Sequence, residues 1–234
     1  MPEETTFDSY AANYDAIQQE SMGVLGRYLN VYAEYKIKQA AKILPRHPTS
    51  ILEFGCGTGR NLPYFRRYFP DAKLEACDVS EQSLAIAKEQ GDDVEFFSSA
   101  SLDALTRRKE KYDLCFLSGV MHHIPITERM AWLEALHACT AFAGCIIIFE
   151  HNPYNPMTRR IVSNCPYDAD ASLIAKSFLA ALLKQAGFKL AESAYTLLFP
   201  WRLGVLERIE SWFGRFPLGG QYYVLAEKCQ AKAK

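Results

Sequence analysis

Three groups of side chains in this 234-residue sequence have the type and spacing to do chemistry. The first is Glu53-Phe54-Gly55-Cys56-Gly57-Thr58-Gly59, which follows a short apolar run and precedes a helical pattern. Glycines at such a junction let the chain turn tightly and bring its backbone close to a ligand. The next acid at a strand end is Asp78, placed to accept hydrogen bonds from both hydroxyls of a ribose. The second group is His122-His123, just past another apolar run, where an imidazole titrates near neutrality. The third is Glu150-His151-Asn152, denser in hydrogen-bonding groups than its Asn-Pro turns require. A dinucleotide fingerprint asks for G-x-G-x-x-G. Here the third glycine comes one position early and Arg60 takes the place reserved for glycine, which argues against a nicotinamide-dependent oxidoreductase. A glycine turn with no ligand is the bland alternative.

The elements that must position these groups follow from periodicity. Residues up to Leu44 read as helix, stopped by Pro45 and Pro48. Short apolar runs at Ser50–Phe54, Lys73–Cys77, Val94–Phe97, Tyr112–Leu117 and Cys145–Phe149 alternate with helical stretches, one of them running from Pro125 to about Phe142. Such alternation predicts a parallel sheet covered on both faces. Asp170 is read as capping a helix over Ala171–Ala186 that Gly187 closes, and Asp168 as a second helix cap. Phe188–Phe199 and Gln221–Lys228 read as a final strand pair, joined by a connector in which Val205, Ile209, Trp212 and Phe216 form one apolar helical stripe. The organisation expected is one domain: a cap over 1–46, a ligand-binding core over 47–150, and acceptor-side elements over 151–234 with a helical insertion at 200–218.

Composition narrows the class. With 26 Lys+Arg against 27 Asp+Glu, no broadly basic nucleic-acid-binding surface is expected. The acidic start does not read as a secretory signal, and the longest apolar run, Ala141–Phe149, is far shorter than the roughly 20 residues of a membrane-spanning helix. Seven cysteines without a C-x-x-C pair predict reduced thiols and a cytoplasmic protein.

Taken together, the E-x-G-C-G-T-G turn, the strand-ending Asp78 and Phe116-Leu117-Ser118-Gly119-Val120-Met121-His122-His123-Ile124 resemble the class I methyltransferases that use S-adenosylmethionine. Phe7-Asp8-Ser9-Tyr10-Ala11-Ala12-Asn13-Tyr14-Asp15 is similar to the opening of the subgroup containing ubiquinone and menaquinone methyltransferases. The resemblance implies a Rossmann-like, doubly wound α/β fold with seven strands, the last antiparallel, under an N-terminal helical cap. It implies S-adenosylmethionine as cofactor and S-adenosylhomocysteine as product. Gly55, Cys56 and Gly57 would pass along the methionine part, Glu53 would meet its amino group, and Asp78 would hold the ribose. Val79 would pack on adenine, Ser118 and Gly119 would line the pocket beside the sulfonium, and Tyr14 would help close the cap. Where the family often has an Asp-Ala pair this chain has Ser99-Ala100, which puts the carboxylate contact to adenine in doubt.

The acceptor is less defined. Glu150-His151-Asn152-Pro153-Tyr154-Asn155-Pro156 followed by Cys165-Pro166-Tyr167-Asp168 resembles a branch associated with bacterial surface-glycan or lipid-linked-sugar assembly. Methyl transfer to oxygen is favoured over carbon or nitrogen, with a small or lipid-linked acceptor. A general base helps a hydroxyl nucleophile. His122, His123, Glu150 and His151 are the candidates, and His122 is preferred because two adjacent histidines cannot both face one pocket. No metal is expected, since these four residues lack a recognisable ligand spacing. Thr158-Arg159-Arg160 reads either as an anion site on the acceptor side or as a solvated helix face. Residues 201–216, where arginines interleave with Trp201, Leu206 and Trp212, read as a helix on the sheet edge, as a cover over an apolar substrate tail, or as a peripheral contact with the inner membrane face. A non-catalytic, cofactor-binding scaffold is the alternative function.

Overall fold

Alternation along the central strands assigns each side chain to one of two cores. The computed structural model describes residues 7–91, 93–198 and 213–229. The strands are β1 (Ser50–Phe54), β2 (Lys73–Asp78), β3 (Val94–Ser98), β4 (Tyr112–Ser118), β5 (Thr140–His151), β6 (Phe188–Thr196) and β7 (Gln221–Lys228). They form one sheet in the order β3-β2-β1-β4-β5-β7-β6. The pairs from β3 through β5 are parallel, and β7 runs antiparallel to both β5 and β6. This is the seven-stranded Rossmann-like arrangement expected, with the last strand antiparallel.

The helices are α1 (Tyr14–Met22), α2 (Leu29–Ile43), α3 (Leu62–Tyr68), α4 (Glu81–Lys88), α5 (Asp103–Thr106), α6 (Arg129–Cys139), α7 (Pro156–Asn164) and α8 (Lys176–Gln185). On one face, Leu114, Phe116, Cys145, Ile147 and Phe149 pack with Ile37 of α2, Phe65 of α3 and Leu84 of α4. On the other, Cys115, Leu117, Ile146 and Ile148 pack with Leu133 of α6 and Leu179 and Leu183 of α8. Both faces are covered, which is why the central strands read as continuous apolar runs. Six of the seven cysteines are buried as free thiols, filling space as small hydrophobes.

Several boundaries differ from the sequence reading: the helix expected from Pro125 starts at Arg129, and the strand expected over 188–199 ends at Thr196. The N-terminal segment is not one helix: 3-10 turns at Asp8–Asn13 and Gly23–Tyr28 flank α1. The helix expected to reach Phe142 ends at Cys139, because Thr140 leaves it to pair with Tyr112 on β4, and a register shift absorbs the following residues. The helix expected from Ala171 starts at Lys176 behind Ala175, so neither Asp168 nor Asp170 caps it. Ser80 does cap α4, its hydroxyl accepting from the Ser83 N–H at 3.0 Å. The apolar stripe expected around 201–216 lies outside the described residues up to Trp212. Phe213 and Phe216, just beyond, are exposed. Among the described residues no helix is long and apolar enough to cross a membrane.

Candidate functional site

A cavity of about 690 Å³ opens at the C-terminal ends of the parallel strands, within the usual range for ligand sites. In open α/β sheets ligands bind there because the loops leaving adjacent strands diverge. The glycine turn forms one wall. Gly55 has φ +75°, and a Cβ there would stand 2.4 Å from Val120 Cγ2, so only glycine fits. Gly57 has φ +53°, and a Cβ on it would meet nothing within 4 Å: its backbone faces the open cavity. The Gly57 N–H donates to Asp78 Oδ2 at 2.7 Å and the Ser80 N–H to Oδ1 at 3.0 Å, fixing the carboxylate at the cavity edge. Burial raises the Asp78 pKa, and those backbone donors oppose the shift.

Tyr14, Gly55, Cys56, Gly57, Asp78, Val79, Ser99, Ala100, Ser118 and Gly119 all line this cavity. Glu53 sits just behind the wall. Its Oε1 accepts from Asn61 Nδ2 at 2.6 Å, while Oε2 is buried without a hydrogen-bond partner. Burial pushes its pKa up to about 8, against the pull of Asn61 and Lys36. Tyr14 stacks on Tyr167 with ring centroids 4.8 Å apart, joining α1 to the turn after α7 over the site. Burial pushes its phenol up to about 12. Arg60 ties the glycine turn to α1 by an ion pair with Asp15 and a hydrogen bond to Gln18. The N-terminal segment also docks through Asp8, which accepts from Ser80 Oγ at 2.6 Å.

These features fit S-adenosylmethionine. The orphaned Glu53 oxygen offers an acceptor for an amine, the exposed face of Gly57 gives room for a close approach, and Asp78 stands a strand away to take hydroxyls.

The far wall holds a cluster of three imidazoles and two carboxylates. Glu150 is 1% exposed; it accepts from the N–H groups of Val120 (3.1 Å) and Met121 (2.7 Å) and pairs with His122 Nδ1 at 2.6 Å. On its other side, His122 Nε2 lies 3.6 Å from Asp168 Oδ1, and His123 Nε2 lies 3.3 Å from the same oxygen. The rings of His123 and His151 sit 4.1 and 5.0 Å from that of His122. Burial alone would lower the His122 pKa, but Glu150 and Asp168 outweigh it and hold it at about 9. Burial would likewise raise Glu150, but the His122 charge brings it down to about 2. For His123 and His151, burial and the neighbouring imidazolium act together and lower both to about 4. At neutral pH the cluster is therefore one imidazolium between two carboxylates, flanked by two neutral imidazoles. The ligand atoms of His122, His123 and Asp168 lie within 4.8 Å of one another, close enough to take a cation, and Asp168 Oδ1 has no hydrogen-bond partner among the described residues.

This reverses the order expected within the histidine pair. His123 and His151 line the cavity, whereas His122 and Glu150 are packed behind its wall. Asn152 is a brace: its Nδ2 donates to the Pro217 and Gly219 carbonyls, and Asn155 caps α7. Arg159 and Arg160 are exposed and off the cavity, while Thr158 lines it. Two cavity groups escaped the sequence reading. Asp168 was read as a cap although it pairs with the histidines. Lys36 lies on α2 with its Nζ donating to Ser118 Oγ, and its only signal was a cation on a face otherwise made of Leu29, Tyr32, Ala33 and Ala40.

The comparisons with known proteins agree with this geometry. Residues 51–144 match the family described as a methyltransferase domain. A malonyl-[acyl-carrier protein] O-methyltransferase from Herminiimonas arsenicoxydans is 37% identical over 78 residues, 33% of this chain and 25% of that protein. A trans-aconitate 2-methyltransferase from Mycobacterium ulcerans is 26% identical over 161 residues, 64% of this chain and 59% of the relative. The chain thus spans less than two thirds of either. The crystal structure of a SAM-dependent methyltransferase from Archaeoglobus fulgidus shares the fold, with a TM-score of 0.61 at 16% identity, covering 84% of this chain and 94% of that one. The glycine turn, the acid after it and the sheet order lie in or around the matched segment, and on these grounds the chain carries a class I methyltransferase domain whose cofactor is S-adenosylmethionine.

Proposed function

We propose that the chain transfers a methyl group to an oxygen of a small or lipid-linked acceptor. One observation carries this reading: a single cavity runs from Gly55, Gly57 and Asp78 to the imidazoles of His123 and His151. When bound, S-adenosylmethionine supplies an electrophilic methyl group on a sulfonium. The protein's part is to orient, to dry and to accept a proton. Asp78 would hold the ribose hydroxyls, Glu53 Oε2 the amino group, and Val79 the adenine face. The stack of Tyr14 on Tyr167 would exclude water from above. His123 Nε2 lies 3.3 Å from Asp168 Oδ1. Neither the His123 nor the His151 ring makes a hydrogen bond among the described residues, but no carboxylate of those residues lies within 4.0 Å of the His151 nitrogens, which makes His151 the better-placed base for a hydroxyl proton. A carboxylate acceptor would need no base.

The cavity is also lined by Met22, Leu25, Leu29, Met157 and Ile161, which supports an acceptor with an apolar body. A cavity continuing past the cofactor groups favours an enzyme over a scaffold. The malonyl and trans-aconitate named for two relatives both carry carboxylates, so acids belong in the screen with phenols, quinones and polyprenyl-phosphate sugars. Calorimetry with S-adenosylhomocysteine should show binding, and a screen for methyl incorporation should find an oxygen acceptor. No binding at millimolar ligand would overturn the reading.

A further inference from the structure

An ammonium held in a cavity wall is stabilised by a counter-charge, and among the described residues half-buried Lys36 has none. It lines the cavity from α2, and its Nζ uses one of three donors on Ser118 Oγ at the end of β4. Among the described residues no carboxylate pairs with it within 4.0 Å. Asp15 is taken by Arg60, while Glu150 and Asp168 flank His122. Glu53 is close enough to influence Lys36, yet its one bonded oxygen accepts from Asn61, and burial keeps it largely protonated at neutral pH. Even partial burial of an ammonium is costly unless it is paired and hydrogen-bonded, and Lys36 is half-buried. Two further polar atoms, Tyr32 Oη and Gln221 Oε1, are buried without partners in residues lining the same cavity. Lys36 also links polar and apolar lining of the cavity through its bond to Ser118 and its place on α2. Ser118 belongs to the cofactor side, and Leu29, Tyr32 and Ala33, one or two turns back on α2, belong to the apolar side.

We propose that Lys36 is a carboxylate-binding group inside the cavity, serving either the amino-acid carboxylate of the cofactor or an acid group on the acceptor. The inference rests on the reading that both ligands share this cavity. A fixed cation at the junction anchors an anionic end while the apolar wall takes the rest of the molecule. It also offsets the burial of Lys36 only when the ligand is present, which makes binding selective for a charged group over its neutral isostere.

The test pairs removal of the ammonium with removal of the carboxylate. Wild-type protein, Lys36→Met and Lys36→Arg are titrated calorimetrically with S-adenosylhomocysteine and its decarboxylated analogue. With S-adenosylhomocysteine saturating, they are then titrated with malonate, trans-aconitate and uncharged malonamide. Wild type should prefer the carboxylate in one series by about ten- to a hundredfold, the range for a hydrogen bond to a charged group. Lys36→Met should abolish that preference while leaving the neutral analogue unchanged, and Lys36→Arg should restore it. Loss in the first series assigns the cofactor carboxylate, and loss in the second assigns the acceptor acid. Lys36→Gln supplies the same comparison should Lys36→Met not fold. Equal discrimination by wild type and Lys36→Met in both series overturns the proposal. A wild type that binds S-adenosylhomocysteine in neither series instead overturns the functional reading beneath it.

Discussion

Replacing Glu150 with glutamine tests the histidine cluster at its weakest point. The side chain is fully buried and its Oε1 accepts from two backbone N–H groups, so Glu150→Gln can keep those bonds through its own carbonyl. Its other oxygen faces His122 Nδ1 at 2.6 Å and the His151 N–H at 3.3 Å, and an amide NH₂ placed there meets two donors. His122 must then give up its proton to accept from the amide, and Asp168 loses its cationic partner. Removing one member of a buried pair costs about 3–5 kcal/mol. For a domain of this size each kcal/mol moves Tm by about 2–4 °C, so the melting temperature should fall by roughly 6–20 °C. The pH dependence sharpens the test. His122 is raised from 6.5 to about 9, so its contribution is complete below pH 6.5 and is lost as pH rises through about 9. Glu150 is lowered from 4.5 to about 2, so its contribution is complete above pH 4.5 and is lost as pH falls through about 2. The gap in Tm between wild type and Glu150→Gln, measured by circular dichroism, should be widest near pH 6 and narrow towards pH 9. A gap below about 2 °C at pH 6, or one that widens with pH, would refute the charge assignment.

Two further expectations concern the cavity wall. Asp78→Ala should weaken S-adenosylhomocysteine binding by about 1–3 kcal/mol through lost charged hydrogen bonds, and unchanged affinity in calorimetry would mean that the ribose lies elsewhere. His151→Ala should lower kcat for a hydroxyl acceptor by about 10²–10⁴-fold with little change in cofactor affinity, whereas an equal loss with His123→Ala alone would transfer the proton-accepting role to that ring.

The glycine turn and its acid were legible because their signal is local. A strand, three glycines and a strand-ending carboxylate follow one another in the chain, and each has a backbone reason to be there. The sheet order was legible for a similar reason, since apolar runs alternating with helices leave few ways to bury both faces. The histidine pair was not. Which of two adjacent imidazoles faces the cavity depends on the turn after β4, and the Val120 and Met121 N–H groups in that turn close onto Glu150, a residue one strand away. Asp168 misled for the opposite reason: an acid shortly before a helical pattern is the ordinary sign of a cap, while its contact with His122 spans 46 residues. Lys36 was hidden by its helix, where a lysine on the surface is so common that one turned inward leaves almost no trace in the sequence.

The charge inside the cluster also bears on the proposed role of His151 as a base. A lone imidazole facing a half-polar cavity would titrate near 6.5 and be partly protonated at neutral pH. A neighbour that stays charged at neutral pH removes that ambiguity, but a buried imidazolium is itself unstable unless carboxylates flank it. Glu150 and Asp168 provide that flanking, and the burden falls on His122 behind the wall, leaving His123 and His151 neutral in front of it. The near balance of 26 basic and 27 acidic residues conceals this arrangement. What matters for the chemistry is that one cation, His122, stands between two carboxylates, and another, Lys36, has no carboxylate paired with it among the described residues.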